Sequence, residues 1–416
     1  MNLMEILNQP LNGQLGNRLI ELLNSRNYHT LNIVVAFAKN SGVLRVKDSF
    51  DSFRERGGKI NVYVGVDLGV TSYEALNALL LCTDSLNVVH SEKSQTFHPK
   101  VYQFLGEKMG MIVIGSHNLT GGGLWTNFES SAHITLDKSN SDDIEVLNNQ
   151  EEYFDKLTSL NNSFMPIVSK DDIDRLLKNG YVSKEVSQQL QSAKRLKRKG
   201  EVERLFGNGL PARLPSISNA PMATTPDEPE TQISDNSAET ATEQAKGQSK
   251  TIWFETRRLT GGSRNILDLS MKSLVERGDP KGTPFDIGET GFMRGGVEFF
   301  GINPSSTGTR KDITLNFEGV DYFQNTILFP TGKSANGTWR LQIKGVSSSQ
   351  VKITDAFRAK DAGYYLVQKV VTFTKVKDDY YFISVFPESE LESFKDASSI
   401  LARNGSARSA KLLGLI

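Results

Sequence analysis

The chain has 416 residues, 38% hydrophobic and 23% charged, which exceeds one hydrophobic core at roughly 150 residues per domain and predicts two or three folding units. Its 48 basic residues balance 48 acidic ones to a net charge of zero, and over the whole chain that balance argues against a nucleic-acid partner. No apolar run approaches the ~18 residues of a membrane span, so no membrane partner is expected. The start, MNLMEILNQPLNG, lacks a basic stretch followed by an apolar core, so no secretory signal is read. The single cysteine, Cys82, excludes an internal disulfide and fits a cytoplasmic location.

Residues 31–136 alternate β-branched runs with amphipathic stretches. LNIVVAFA and INVYVGV read as buried strands. Between them Val43, Val46, Phe50 and Phe53 recur at helical spacing, and Gly57-Gly58 stops the helix. Thr71, with Glu74 three residues on, predicts a capping box for a following helix. LNVVH, KVYQFL, MIVIG and SSAHITL follow as strands, giving an α/β layer with a mixed sheet. Residues 140–205 read as helix and end in the basic run KRLKRKGEVERL. That run fits either a solvated helix face or a phosphate-contacting or interdomain helix.

Residues 207–250 are rich in Pro, Ser, Thr and Ala and nearly devoid of large apolar side chains, the composition of a disordered linker. The linker is acidic: Asp227, Glu228, Glu230, Asp235, Glu239 and Glu243 outnumber Arg213, Lys246 and Lys250. From residue 251 short alternating segments separated by turns predict a largely β barrel or sandwich. TIWFETRRL, GVEFFGI, DITLNF, NTILFP, TWRLQIKG, GYYLVQKVVTFTKV and YYFISVF are its expected strands. PESELESFKDASSILARN is expected to close it as a helix. This region holds 22 Lys/Arg against 18 Asp/Glu, so the zero total hides a basic C-terminal region beside an acidic linker.

The chemistry concentrates around two short stretches. QTFHPKVYQF supplies His98 and Lys100 before a strand, and MIVIGSHNLTGGGLWTNFES supplies Ser116, Asn118, Gly121-Gly122-Gly123, Asn127 and Glu129. An imidazole held in one tautomer by a carboxylate is a nucleophile for phosphorus. A lysine ammonium with Asn or Ser donors can hold the non-bridging oxygens as charge builds up. A second imidazole must protonate the leaving oxygen. His98 and Lys100 occupy alternate positions and share a side of the strand. Glu129 is the candidate carboxylate, and the glycines allow backbone N–H groups to approach an anion. His117 and His133 are expected to be structural, His29 and His90 to lie in loops or on the surface.

These residues resemble the phospholipase D superfamily, whose motif is His-x-Lys followed by Gly-Ser-x-Asn. Here it reads His98, Lys100, Gly115-Ser116-x-Asn118 and then Asn127-x-Glu129, over residues 30–137. The Asp of the lipid-cleaving members is absent, a departure that resembles the bacterial nuclease branch. No second His-x-Lys exists in the chain, so a homodimer through the nuclease domain, with both His98 side chains meeting at the dyad, is expected. The clustered carboxylates of two-metal chemistry are also missing, so no metal and no cofactor is expected.

DITLNFEGVDYFQNTILFPTGKSANGTWRLQIKG looks like the core of the plant-type B3 DNA-binding pseudobarrel, and the resemblance covers about residues 251–388. It implies one reading arm at Thr331, Lys333, Ser334, Asn336 and Arg340, and an opposite arm at Lys281 and Arg294. Lys and Arg suit guanine, and Asn suits adenine. Arg257, Arg258 and Arg264 are expected on phosphates, and Trp339 in the core. Thr331-Gly332-Lys333-Ser334 mimics the end of a P-loop, but Ile327 stands where that motif needs glycine, so no nucleotide cofactor is expected.

The expected organisation is an N-terminal α/β phospholipase D-like nuclease domain (1–165) and a helical basic segment (166–206). An acidic linker (207–250), a mostly-β B3-like pseudobarrel (251–388) and a C-terminal helical extension (389–416) follow. The combination resembles restriction endonucleases that join these two modules. It implies sequence-specific cleavage of double-stranded DNA, a companion DNA methyltransferase and, in some members, an ATP-dependent helicase-like subunit. Two rivals stand beside it: a non-specific nuclease or lipid phosphodiesterase, and a DNA-binding regulator with a retired catalytic domain. The acidic linker is expected to compete with DNA for a cationic cleft and to restrain off-site cutting.

Overall fold

The computed structural model describes residues 4–93, 95–199, 209–210, 212–215, 217, 250–257, 264–332, 337–362 and 364–416. Arg258, Lys333, Ser334 and Asn336 lie outside these residues, as do the acidic positions of the linker and the basic run from residue 200 onward. The described residues fall into two compact units. One runs to Glu185 and includes those between 209 and 217; the other starts at Val186 and takes in everything from residue 250.

In chain order the first unit contains β1 (Met4–Gln9), α1 (Leu15–Asn24), β2 (Thr30–Val35), α2 (Asn40–Glu55), β3 (Lys59–Gly65), α3 (Tyr73–Cys82) and β4 (Ser85–Val89). Then come β5 (Lys100–Leu105), β6 (Met109–Gly115), β7 (Glu129–Asp137), α4 (Ser141–Thr158), β8 (Phe164–Pro166) and α5 (Lys170–Lys178). The eight strands form one mixed sheet, ordered β1-β7-β6-β5-β2-β3-β4-β8. β2, β3 and β4 run parallel, which requires the crossovers supplied by α2 and α3. Val-rich β2 is buried along nearly its whole length, as expected of a strand covered on both faces. On one face Leu147, Phe154 and Leu157 of α4 pack with Val34, Ile112 and Leu136.

That face also carries a chain of amides. Asn32 donates to Gln103 Oε1 at 2.8 Å, Asn61 donates to Asn32 Oδ1 at 2.9 Å, and Ser85 donates to Asn61 Oδ1 at 2.9 Å. The row crosses β5, β2, β3 and β4 and ties their registers together through buried and half-buried polar groups.

Several local readings change. The helix after β3 is capped by Ser72, whose side chain accepts from Ala75 N at 3.1 Å. Thr71, the expected cap, is buried instead, donating to Gly65 O at 2.6 Å and accepting from Ala38 N at 3.2 Å. Glu74 does not close a capping box. Its Oε2 accepts from Glu185 N at 3.0 Å, while Glu185 Oε1 accepts from Asn40 N at 2.7 Å and Ser72 Oγ at 2.9 Å. Burial, reinforced by the Glu185 charge, pushes the Glu74 carboxyl up to about 7. The stretch read as continuous helix after residue 140 is broken by β8, three residues that pair with β4. β1 and α1 carried too little alternation to be read.

The second unit contains most of α6 (Glu185–Lys199), then β9 (Thr251–Glu255), β10 (Ile266–Leu269), β11 (Lys272–Arg277), β12 (Phe292–Arg294), β13 (Arg310–Phe317), β14 (Val320–Leu328) and β15 (Trp339–Gln342). It continues with α7 (Ile353–Asp361), β16 (Lys369–Lys377), β17 (Tyr380–Pro387), α8 (Leu391–Ala397), β18 (Ile400–Arg403) and β19 (Leu412–Leu415). Eleven strands form one sheet, ordered β10-β15-β14-β13-β17-β16-β9-β19-β18-β11-β12. Only two residues separate β10, at one end of the ladder, from β11, the strand next to its other end. No ladder closes that seam among the described residues.

β9 is buried on both faces: Ile252 and Phe254 join the larger core, while Trp253 joins a second cluster with Phe394 and Phe386. Trp339 is fully buried, as its apolar setting predicts, and donates to Pro304 O at 3.0 Å. GVEFFGI is a 3-10 turn over Gly296–Phe300 rather than a strand. The run is apolar without alternation, and Gly301 at φ 71° ends it. The expected C-terminal helix is also largely replaced. Only Leu391–Ala397 is α-helical, and β18 and β19 then insert between β9 and β11, because ILAR and LLGL are short apolar runs fit for a sheet covered on both faces.

Candidate active site

The topology of the first sheet places the beginning of β5, the end of β6 and the beginning of β7 on one edge, beside the end of β2. The register shows it directly: Val35 faces Lys100, Val101 faces Ile114, and Gly115 faces Ser131. His98 lies just before β5, Ser116 and Asn118 just after β6, and Glu129 at the first position of β7. Residues far apart in the chain thus meet at one lip of the sheet.

Lys100 is buried to 8% exposure, whereas His98 is exposed. The ammonium lies 2.8 Å from His98 Nδ1 and 3.0 Å from Nε2, and it donates to His98 O at 2.9 Å. Burial lowers the Lys100 pKa, and the Glu129 charge works against that shift. The Phe37 ring meets the His98 ring edge-on at 5.8 Å. Asn118 Oδ1 accepts from Phe37 N at 3.1 Å, which fixes the amide, and its Nδ2 has no hydrogen bond among the described residues, so it is a free donor.

Glu129 accepts from Ser116 Oγ in a short hydrogen bond and from Asn127 Nδ2 at 3.2 Å. Ser116 Oγ also accepts from Ser130 N at 3.1 Å. In the chain as described Glu129 therefore holds Ser116 and biases Lys100, and it makes no hydrogen bond to His98. Its charge also reaches Tyr102, whose hydroxyl is raised by burial first and by Glu129 second. That hydroxyl donates to His117 O at 3.2 Å.

Two of the three glycines are required by close packing. A side chain at Gly123 would stand 2.4 Å from Asn118 O, and one at Gly122 2.7 Å from Asn127 Oδ1. Gln9, buried and unanticipated from sequence, clamps this turn. Its Nε2 donates to Gly122 O and Gly123 O at 3.2 Å each and to Asn127 O at 3.1 Å. His117 and His133 are buried at 1% and 3% exposure. His117 bonds Gly123 O through Nδ1 at 2.8 Å, and burial lowers its pKa against the opposing pull of that bond and of Glu129. Both read as structural.

Sequence reading also missed Phe37 and Asp67. Asp67 is buried to 8% exposure; Oδ1 lies 2.8 Å from His90 Nδ1, and Oδ2 accepts from Phe97 N at 2.9 Å, immediately before His98. The end of a valine-rich strand marks Phe37, but nothing in the one-dimensional pattern links Asp67 to residue 97.

In the second unit the expected DNA-facing residues have mixed settings. Thr331 and Lys281 are exposed. Arg294 pairs with Glu298 at 3.2 Å, Arg340 lies 3.7 Å from Asp268, and Arg257 lies 3.7 Å from Glu255. Arg264 sits over the Tyr364 ring at 4.1 Å.

No family model matches the chain, and no curated protein matches it. Among solved structures it is similar to Nuc, a phospholipase D family member from Salmonella typhimurium, at 12% identity and a TM-score of 0.30, covering 41% of this chain and all of that one. It is similar to NucT from Helicobacter pylori at 16% identity and a TM-score of 0.29, over 40% of this chain and all of that one. A phosphatidylserine synthase from Haemophilus influenzae Rd KW20 follows at 11% identity and a TM-score of 0.31, over 47% of this chain and 46% of that one.

Proposed function

We propose that this protein hydrolyses phosphodiester bonds through a covalent phosphohistidine on His98, and that its substrate is double-stranded DNA cut with sequence specificity. The observation that carries the reading is the convergence of His98, Lys100, Asn118 and the Ser116–Glu129 pair on one sheet edge. Lys100 and the free Asn118 Nδ2 supply donors for the non-bridging oxygens, where charge develops in the transition state. A His98 ring nitrogen attacks phosphorus and the bond to the leaving oxygen breaks. A second imidazole gives that oxygen its proton, then takes one from the water that cleaves the P–N bond.

The second imidazole is His98 of a second copy of the chain. Support comes from the lone His-x-Lys and from apolar surface beside the site. Ile6 and Ile114 flank Ala132 in register, and they and Phe128 are exposed at 47%, 46% and 65%. The basic surplus beyond residue 250 and the B3-like sequence pattern support DNA as the partner and Thr331, Lys281, Arg294 and Arg340 as contributors to its reading. A restriction activity of this kind implies a companion methyltransferase. A helicase-like ATPase is an optional partner.

The test is incubation of the full chain with varied duplexes in EDTA, beside His98→Ala. Discrete fragments in EDTA that vanish in the variant, with an acid-labile phosphoryl group on trapped wild-type protein, are expected. A strict magnesium requirement would overturn the chemistry, and cleavage by a species that elutes as a monomer would overturn the shared site. Equal cutting of every duplex would remove sequence specificity.

A further inference from the structure

We propose that Asp67 is a positioning residue for His98, a clamp that holds the nucleophile's loop at both of its ends. The role rests on the reading of His98 as nucleophile; the clamp itself does not. Residues 91–99 connect β4 to β5, and β3 and β2 stand between those strands in the sheet. The connection therefore crosses the edge of two strands without a ladder to guide it. His98 is exposed at its far end, with only Pro99 between it and β5.

Asp67 stands in the turn after β3, under that crossing, and is buried to 8% exposure. Oδ2 accepts from Phe97 N at 2.9 Å, and Oδ1 lies 2.8 Å from His90 Nδ1. One carboxylate thus holds a residue on either side of the crossing, His90 before it and Phe97 after it. Among the described residues of 91–98, no other backbone N–H is bonded to a different element. His90 is itself fixed, since its N donates to Ser163 O at 3.0 Å and its ring meets Tyr181 edge-on at 5.3 Å. The ring lies between the carboxylates of Asp67 and Glu92, at 2.8 Å and 3.9 Å.

The surroundings of the clamp are shaped to it. Leu68, the next residue, has φ 58° and is 83% exposed. A leucine is disfavoured in that left-handed region and here gains no burial in return. Such a conformation persists where neighbouring contacts over-determine it, and the two Asp67 contacts are made one residue away. Gly65 leaves room for the same segment, since a side chain there would stand 3.1 Å from Phe97 O. The Phe97 ring packs against the core cluster that holds Val34 and Val101. With residue 97 located in this way, the His98 ring rests against Phe37 and beside Lys100 Nζ. A displacement of about 1 Å at a reacting group costs about 10²-fold in rate, and the clamp opposes that displacement.

The experiment compares single-turnover DNA cleavage by the full chain with hydrogen exchange at the Phe97 amide in DNA-free protein, for wild type, Asp67→Ala and Asp67→Asn. Asp67→Ala is expected to lower the maximal rate about 10²-fold while the half-saturating DNA concentration moves less than about twofold. Exchange at Phe97 is expected to accelerate at least about tenfold. Asp67→Asn keeps an oxygen for the Phe97 N–H, and its amide can donate to His90 once that ring changes tautomer. It is expected to recover most of the rate and of the protection. Circular dichroism checks folding, and Asp67→Ser, too short to reach both partners, replaces an Asp67→Ala protein that does not fold. Unchanged Phe97 exchange in the folded variant overturns the clamp. Faster exchange with an unchanged maximal rate, or a loss confined to DNA affinity, overturns the positioning role. Absence of cleavage by wild type, or cleavage that survives His98→Ala, overturns the nucleophile reading and the role that rests on it, while Phe97 exchange still decides the clamp.

Discussion

At the scale of single residues, the candidate site depends on what each side chain has already been given to do. Asn118 accepts from Phe37 N through Oδ1, which leaves its Nδ2 as the group free to donate. Asn118→Asp keeps the acceptor but loses the donor and adds charge beside the phosphate position. Single-turnover cleavage should slow by about 10²–10³, the cost of one transition-state donor, with little change in melting temperature. A similar loss of stability and rate would instead assign Asn118 a purely structural role. The His-x-Lys and Gly-Ser-x-Asn pairings were legible in the sequence because each lies within a few residues of one strand end. Asp67 and Gln9 were not, because their partners sit 30 and more than 100 residues away and only the sheet brings them together.

Among elements, the starts of three helices converge on two carboxyls: Asn40 opens α2, Ser72 caps α3, and Glu185 opens α6. Glu74 holds its proton up to about 7, first through burial and then through Glu185, with Lys184 opposing. Its folded pKa is raised above the unfolded value, so the folded state binds the extra proton. The stabilisation is complete below about pH 4.5, the unfolded value, and is lost as pH rises through about 7. The melting temperature of the first unit should fall across that window. Glu74→Gln should flatten the profile and raise the melting temperature at pH 8 by about 3 °C or more; an unchanged profile would exclude Glu74 as its source. The amide row across β5, β2, β3 and β4 gives a second expectation. Asn32→Leu strands Gln103 and Asn61 without their partner and should cost about 2–4 kcal/mol in urea unfolding. Sequence showed these strands through their valines. It hid the row, because each Asn or Ser looks like an isolated polar residue until registry aligns them. The three-residue β8 and the shift of the α3 cap by one position escaped for the same reason, since tertiary partners decided them.

For the whole molecule, composition indicated several folding units and a basic C-terminal region, and alternation indicated its β character. Neither gave the strand order, because the pairs that hold the second sheet together are long-range. β9 is flanked by β16 and by β19, so Trp253 faces both Thr372 and Gly414. Removing residues 412–416 should expose Trp253 and abolish cooperative unfolding of the second unit, while the first unit keeps its own transition. Two unchanged melting transitions in that truncated chain would contradict this. The pairing also sets a schedule. In a ribosome-bound chain the first unit can close once residues up to about 217 have emerged, whereas β9 must wait for a partner made some 160 residues later. The unit that carries His98 is therefore folded while the second sheet still lacks its last strand, and each newly made molecule passes through an interval with one finished unit and one unfinished.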